Sequence, residues 1–326
     1  MKNKSLELFV VILASVWCTI GGNMMEEDVV FYQEKGTFLK DHVISTHHVT
    51  TPIDCSFLCT SVEKCESYNY KPRGPGEQDL CQLNNATRQT KPLAIVSDAA
   101  FNHYTPKLTY YDCLAYLKDG FSENGVFTIT DDKGNLFPAY CDFTSEPRSA
   151  WTLIMSHAFK MSHMPEFCTK ELSMNVPLQE NNPNWERYRL PLSQMYHLSN
   201  VSSHVRISTG FSKFGIDFTD YMRAQISDIN ILKFTGNAVC KTIEYINVRE
   251  NIGEGVTAPF WQSNNQTSIF HVNTFKNPCD FDATSGAAPN ERNFGMYCAN
   301  KNETSREFRG TADPDSTTEY WFGGYV

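Results

Sequence analysis

The sequence predicts an exported, disulfide-stapled α+β protein of two domains. The first is a small domain with a sheet packed on one helix; the second is a larger, β-rich α+β domain. Three observations carry this: an apolar run near the N-terminus, an even cysteine set in the remainder, and a change of residue pattern near Pro106.

Lys2 and Lys4 precede an apolar run from Leu8 to Trp17, which gives way to Gly21 and Gly22. That is the layout of a secretory signal peptide, with a positive start, a short apolar stretch and a small-residue cleavage zone. The run falls well short of the ~20 residues that span a bilayer. Residues 1–22 are therefore expected to be removed and the rest secreted to the extracellular space. No later segment has spanning length, so no membrane insertion is expected. The C-terminal segment 317–326 is too short and mixed for a lipid-anchor signal.

Cysteine usage fits that compartment. Of eleven cysteines, Cys18 would leave with the leader, and ten remain: Cys55, Cys59, Cys65, Cys81, Cys113, Cys141, Cys168, Cys240, Cys279 and Cys298. An even set in an exported chain reads as disulfides. No Cys-x-x-Cys pair occurs, and the histidines do not fall at zinc-finger spacing. Asn85, Asn200, Asn265 and Asn302 each begin an Asn-x-Ser/Thr acceptor for glycosylation.

The net charge is −9 from 28 basic and 37 acidic residues. Loss of Lys2, Lys4 and Glu7 with the leader makes it about −10, which disfavours nucleic acid and acidic membranes as partners. A mature chain of about 300 residues suggests two domains.

The first, residues 23–107, contains Pro52 to Val62, a short helix with proline near its start. Cys55 and Cys59 are four apart and share one helical face. Cys65 follows, then an aromatic strand, Ser67 to Tyr70, a Pro/Gly loop and a second strand from Leu80. The simplest stapling joins Cys59 to Cys65 and Cys55 to Cys81. With Cys55-x3-Cys59, Cys65 leading into Tyr68-Asn-Tyr, Cys81-Gln-Leu and a closing strand at Phe101-Asn-His-Tyr104, this segment resembles the PAN/apple family. It departs from many apple domains in lacking an outer cysteine pair. The resemblance implies a small sheet on one helix, used to bind proteins or carbohydrates.

Residues 108–326 form the second domain. Gly125 to Ile129, Leu136 to Phe143 and Trp151 to Ile154 alternate as strands between Gly, Asp and Asn turns. Cys113 and Cys141 would close a loop of about 28 residues, stabilising by roughly 3–4 kcal/mol. Cys113, Gly125-Val-Phe-Thr-Ile129, Tyr140-Cys-Asp142 and Trp151-Thr152 together resemble the opening of a fibrinogen-like C-terminal domain. The likeness holds over residues 112–154 and then fades. Ser149-Ala150 replaces the usual Gly pair, and no tryptophan lies between Cys279 and Cys298, so the family's ligand pocket is not carried over. The pairing among Cys168, Cys240, Cys279 and Cys298 stays open.

No Gly-x-Ser-x-Gly, His-Glu-x-x-His or phosphate-cradling glycine loop is present, and the protein is not expected to be an enzyme. His47-His48 and the pair His157 and His163 read as ordinary histidines, since neither has an evident third ligand. Asp280 with Asp282, and Asp313 with Asp315, are the candidate calcium positions, although neither loop has the full spacing of a calcium motif. Tyr320-Trp-Phe322 reads as a terminal strand docked in the core. The function expected is non-enzymatic extracellular binding or adhesion, toward extracellular proteins or glycans, including a role in skeletal or mineral-bound matrix. The alternative is a soluble, lectin-like carbohydrate-recognition protein. The architecture is similar to that of secreted matrix and adhesion proteins of simple animals.

Overall fold

The computed structural model describes residues 12–20, 23–74, 76–106, 109–263, 268–272, 279–282, 293–295 and 308–326. Two compact units divide the chain. The first is residues 1–109 with 126–128; the second is 110–125 with 129–326.

In the first unit the strands are β1 (Ile12–Ile20), β2 (Asn23–Leu39), β3 (Val43–Val49), β4 (Ser67–Lys71), β5 (Asp79–Asn84) and β6 (Ile95–Pro106). They form one antiparallel sheet in the order β1-β2-β6-β4-β5-β3. Helix α1 (Pro52–Ser61) packs on it. Residues 12–20, within the segment expected to be a leader, form the edge strand β1, hairpinned onto β2.

The helix starts where the sequence says it should. Thr51 caps it and accepts from the Asp54 amide at 3.2 Å, Asp54 accepts from the Thr51 amide at 2.9 Å, and Pro52 opens the first turn. Cys55 and Cys59 then point inward, and disulfides Cys55–Cys81 and Cys59–Cys65 fasten the helix at both ends. Phe31, Tyr68 and Tyr104 complete the core, with Tyr68 stacked on Tyr104 at 4.7 Å. The Tyr68 hydroxyl donates to the Pro52 carbonyl at 3.2 Å, tying the helix start to β4.

Beside that apolar core runs a buried polar ladder. The Asn69 side chain accepts from the Leu39 amide at 2.9 Å, donates to the Leu39 carbonyl at 3.0 Å and to Asn84 at 3.2 Å, and meets His103 Nδ1 at 3.1 Å. Burial, with Arg88 adding to it, pushes the His103 pKa down from 6.5 to about 3. A depressed histidine contributes stability that is complete above pH 6.5 and drains away as pH falls toward 3. This unit should therefore lose roughly 3 kcal/mol between pH 6.5 and 4 from His103 alone, at 1.36 kcal/mol per unit. Amide exchange of β4 and β6 as a function of pH measures it, and His103→Gln should flatten the slope. An unchanged slope in that variant would exclude the ring as the cause.

The second unit opens with α2 (Cys113–Lys118), capped by Asp112. Strands β7 (Gly125–Thr130), β8 (Leu136–Asp142), β9 (Ser149–Ala158) and β10 (Arg187–Arg189) follow, with α3 (Pro165–Cys168) before β10. Then come α4 (Leu192–Val201), β11 (His204–Thr209), α5 (Phe211–Phe214), β12 (Tyr221–Gln225), β13 (Gly236–Val248), β14 (Asn251–Ser263), β15 (Ser268–Val272) and β16 (Thr317–Tyr325). The ten-stranded sheet has the order β15-β14-β13-β12-β11-β16-β9-β8-β7, with β10 paired to β9.

The C-terminal strand lies near the middle of this sheet, between β11 and β9, and Tyr320, Trp321 and Phe322 are fully buried. The docked strand expected from these aromatics is present. Gly323 lets β16 approach β9: a Cβ there would sit 2.2 Å from the Ala150 carbonyl oxygen. The disulfides Cys113–Cys141 and Cys240–Cys279 close this unit, and Cys168 is disulfide-bonded as well. Cys298 lies outside the described residues. Arg189, wholly buried, donates to the carbonyls of Glu166, Lys170, Glu171 and Met174, and so shapes the segment that carries Cys168. No helix among the described residues is long and apolar enough to cross a membrane.

Candidate functional site

Because Cys55 and Cys59 commit one face of α1 to the core, the opposite face has no sheet to cover it. Ile53 and Phe57, one turn apart, are 47% and 49% exposed. The end of β3 runs beside this face, since β3 pairs with β5 in a register that sets Val49 against Asp79. Between them lies a cleft of 470 Å³ lined by His48, Val49, Thr50, Asp54, Phe57, Leu58 and Gln78. Three separate segments supply these side chains: the β3 end, the first two turns of α1 and the residue before β5.

The polar groups in this cleft differ in how they are committed. Asp54 Oδ2 is fully used, accepting from the Thr50 hydroxyl and the Thr50 and Thr51 amides. The Thr50 hydroxyl, followed by its neighbours, holds the Asp54 pKa below the usual carboxylate range, so the group is ionised at any physiological pH. Asp54 Oδ1 has no partner among the described residues. Nor do the His48 ring and the Gln78 amide, both exposed. Behind the cleft the framework is stiff: Tyr70 donates to Asp79, whose second oxygen accepts from the Arg73 amide at 2.7 Å. Sequence singled out His47-His48 as a pair, but a strand sends neighbours to opposite faces. His47 meets Ser45 at 2.9 Å, and only His48 reaches the cleft.

In the second unit the structure joins groups that no motif announced. His204 contacts Ser203 Oγ through Nδ1 at 2.7 Å and Glu244 through Nε2 at 3.2 Å. Glu244 is also held by Arg223 at 3.0 Å and Gln225 at 3.4 Å. Deeper, Arg206 lies between the rings of Trp151 and Trp321, each 4.6 Å away. It pairs with Asp142 at 2.5 Å and Glu146 at 3.3 Å. Glu146 also accepts from Arg223, Tyr221 and Tyr325. Only adjacency in space could reveal these clusters, since their members span residues 142–325.

The four aspartates considered for calcium have other partners. Asp280 accepts from the Thr257 amide at 3.2 Å and hydroxyl at 2.8 Å, and the Asp282 carbonyl accepts from Asn251 at 3.1 Å. Asp313 accepts from the Asp315 amide at 2.8 Å, and Asp315 pairs with Lys160 at 2.9 Å. Among the described residues no three His, Cys, Asp or Glu side chains form a group that could hold a metal. The calcium reading has no coordination cluster there to rest on. His157 is buried against Phe167, with ring centroids 5.0 Å apart, and burial lowers its pKa to about 4. Asn85 and Asn200 are exposed, as a glycan requires; Asn265 and Asn302 fall outside the described residues.

Comparison with known families places this cleft in context. Residues 30–114 match the PAN domain, so the match covers the first unit from within β2 and ends at the start of α2. No curated protein matches the chain.

Proposed function

We propose that the chain is a secreted, non-enzymatic binding protein of the extracellular space, in which the PAN domain engages an extracellular protein or glycan. The observation that carries this reading is the cleft beside α1. It joins an exposed aromatic ring to polar groups that the fold leaves open, on a domain class that binds proteins and carbohydrates outside cells. The disulfides support an oxidising compartment. The second unit acts as a fibrinogen-related body; its support is the Cys113–Cys141 staple between α2 and β8, around the Gly125 to Ile129 strand. On this reading the protein is an adhesive component of extracellular or skeletal matrix.

Expression in a secretory host tests the premise. The protein should reach the medium with an N-terminus near residues 22–24 and lose apparent mass on endoglycosidase treatment. The purified full chain should then be retained on a decellularised matrix preparation. Passage through it unretained, or retention inside the host with Met1 intact, would sink the reading.

A further inference from the structure

From the chemistry of the cleft we infer that its ligand is a neutral saccharide, seated on the Phe57 ring. This rests on the binding role proposed for the PAN domain and narrows it to one ligand class and one place. A pyranose has a weakly apolar CH face and a rim of hydroxyls that both donate and accept. The cleft offers the complement. The Phe57 ring is half exposed, and Leu58 and Val49 line the same cleft. Around it stand Asp54 Oδ1, an acceptor; the Gln78 amide, with donors and an acceptor; and the His48 ring, with one of each when neutral. Because these groups have no partner among the described residues, a ligand would not have to break intramolecular bonds to reach them.

Charge narrows the class. No lysine or arginine lines the cleft, and Asp54 is held in its ionised form by the Thr50 hydroxyl. Sulfated or uronic-acid glycans would meet that carboxylate with no compensating cation. Size also agrees: 470 Å³ falls within the ~300–1,000 Å³ range of small-ligand sites and suits one or two sugar rings. An extended peptide adding to the β3 edge would be held by main-chain groups and would leave Asp54 Oδ1, the Gln78 amide and the Phe57 ring unused. The open side chains here are polar and stand around one exposed aromatic ring.

Saturation-transfer NMR on the secreted full chain, with methyl β-galactoside, methyl α-mannoside and N,N′-diacetylchitobiose as probes, tests this. At least one should receive saturation, strongest at protons of one ring face, and heparin oligosaccharides should not compete. Phe57→Ala removes the platform at an exposed position, and affinity should fall at least tenfold. Gln78→Ala should cost several-fold. Melting temperatures within a degree or two of wild type would show that both variants fold. Three results would overturn the inference: no transfer to any neutral probe, competition by heparin, or binding unchanged in Phe57→Ala. If the full chain is retained on matrix but no neutral saccharide releases it, the saccharide fails and the binding role stands. If matrix retention is absent while a saccharide binds, the adhesive role fails and the cleft assignment stands.

Discussion

Replacing Arg206 with methionine should lower the stability of the second unit by about 3–5 kcal/mol, the usual cost of leaving a buried charge without its partner. Arg206 is 0% exposed, and so is Asp142, which it reaches at 2.5 Å. Without the guanidinium, Asp142 keeps, among the described residues, only the amides of Thr144 and Ser145, both at 3.2 Å, and Glu146 loses one of the two cations it has there. The cation sandwiched between Trp151 and Trp321 disappears too. Methionine fills much of the volume, so the loss reports charge and hydrogen bonding more than a void. For a domain of this size the melting temperature should drop by roughly 6–20 °C, at 2–4 °C per kcal/mol.

The same variant makes a pH prediction with a definite sign. In the native protein, burial pushes the Glu146 pKa up, but Tyr325, Arg206, Tyr221 and Arg223 outweigh it and bring it below the ordinary value. Its contribution is therefore present above the ordinary carboxylate range and lost in acid. In Arg206→Met, Glu146 loses one of the groups that lower its pKa, so in the folded state it should bind a proton more readily than it does in the wild type. The gap between variant and wild type should be widest at pH 8 and shrink toward pH 4. Arg206→Lys should recover only part of the loss, because an ammonium cannot reach both carboxylates in one plane while stacked between two indoles. A gap that does not change with pH would mean that packing, and not ionisation, sets the cost.

That network also shows where sequence reasoning stops. His204-Val-Arg-Ile-Ser-Thr209 alternates polar and apolar residues, which in a strand reads as one wet face and one dry face. Both faces are covered: every residue of β11 after His204 is buried, and Arg206 is covered by Trp151 of β9 and by Trp321 of β16, a strand that arrives from the far end of the chain. Nothing local to residues 204–209 encodes that arrival. The first unit was legible because its determinants are short-range. Proline, threonine and aspartate at 51–54 fix the helix start, and the cysteine spacings fix what it docks on. Its cleft was not legible. His48 and Gln78 are thirty positions apart and meet only through the pairing of β3 with β5. The partners of the aspartates were equally out of reach of the sequence, since Thr257 lies 23 positions from Asp280 and Lys160 lies 155 from Asp315.

The second large effect expected is selective loss of the first unit when Cys55 and Cys81 are both changed to alanine. Their disulfide closes a loop across a sequence separation of 26 and anchors α1 to β5, with both sulfurs fully buried. On the loop-entropy model it is worth about 3–4 kcal/mol, whereas the Cys59–Cys65 bridge, with a separation of 6, is worth roughly 2. A unit of this size has about 4–12 kcal/mol in total, at 0.05–0.15 per residue. Removing the larger staple, and shortening two core side chains with it, takes a third or more of that. Hydrogen exchange on the full-length chain resolves the two units. In the Cys55→Ala/Cys81→Ala variant, protection should collapse in β4, β5 and β6 and persist in β9, β11 and β16. The Cys59→Ala/Cys65→Ala variant should lose less, with its fraying confined to the end of α1 and the entry to β4. Equal losses in the two variants would contradict the dependence on loop length. Loss of protection in β9 and β16 alongside β4 would show that the two units do not unfold independently, and the PAN domain would then owe its stability to the rest of the chain as well as to its own staples.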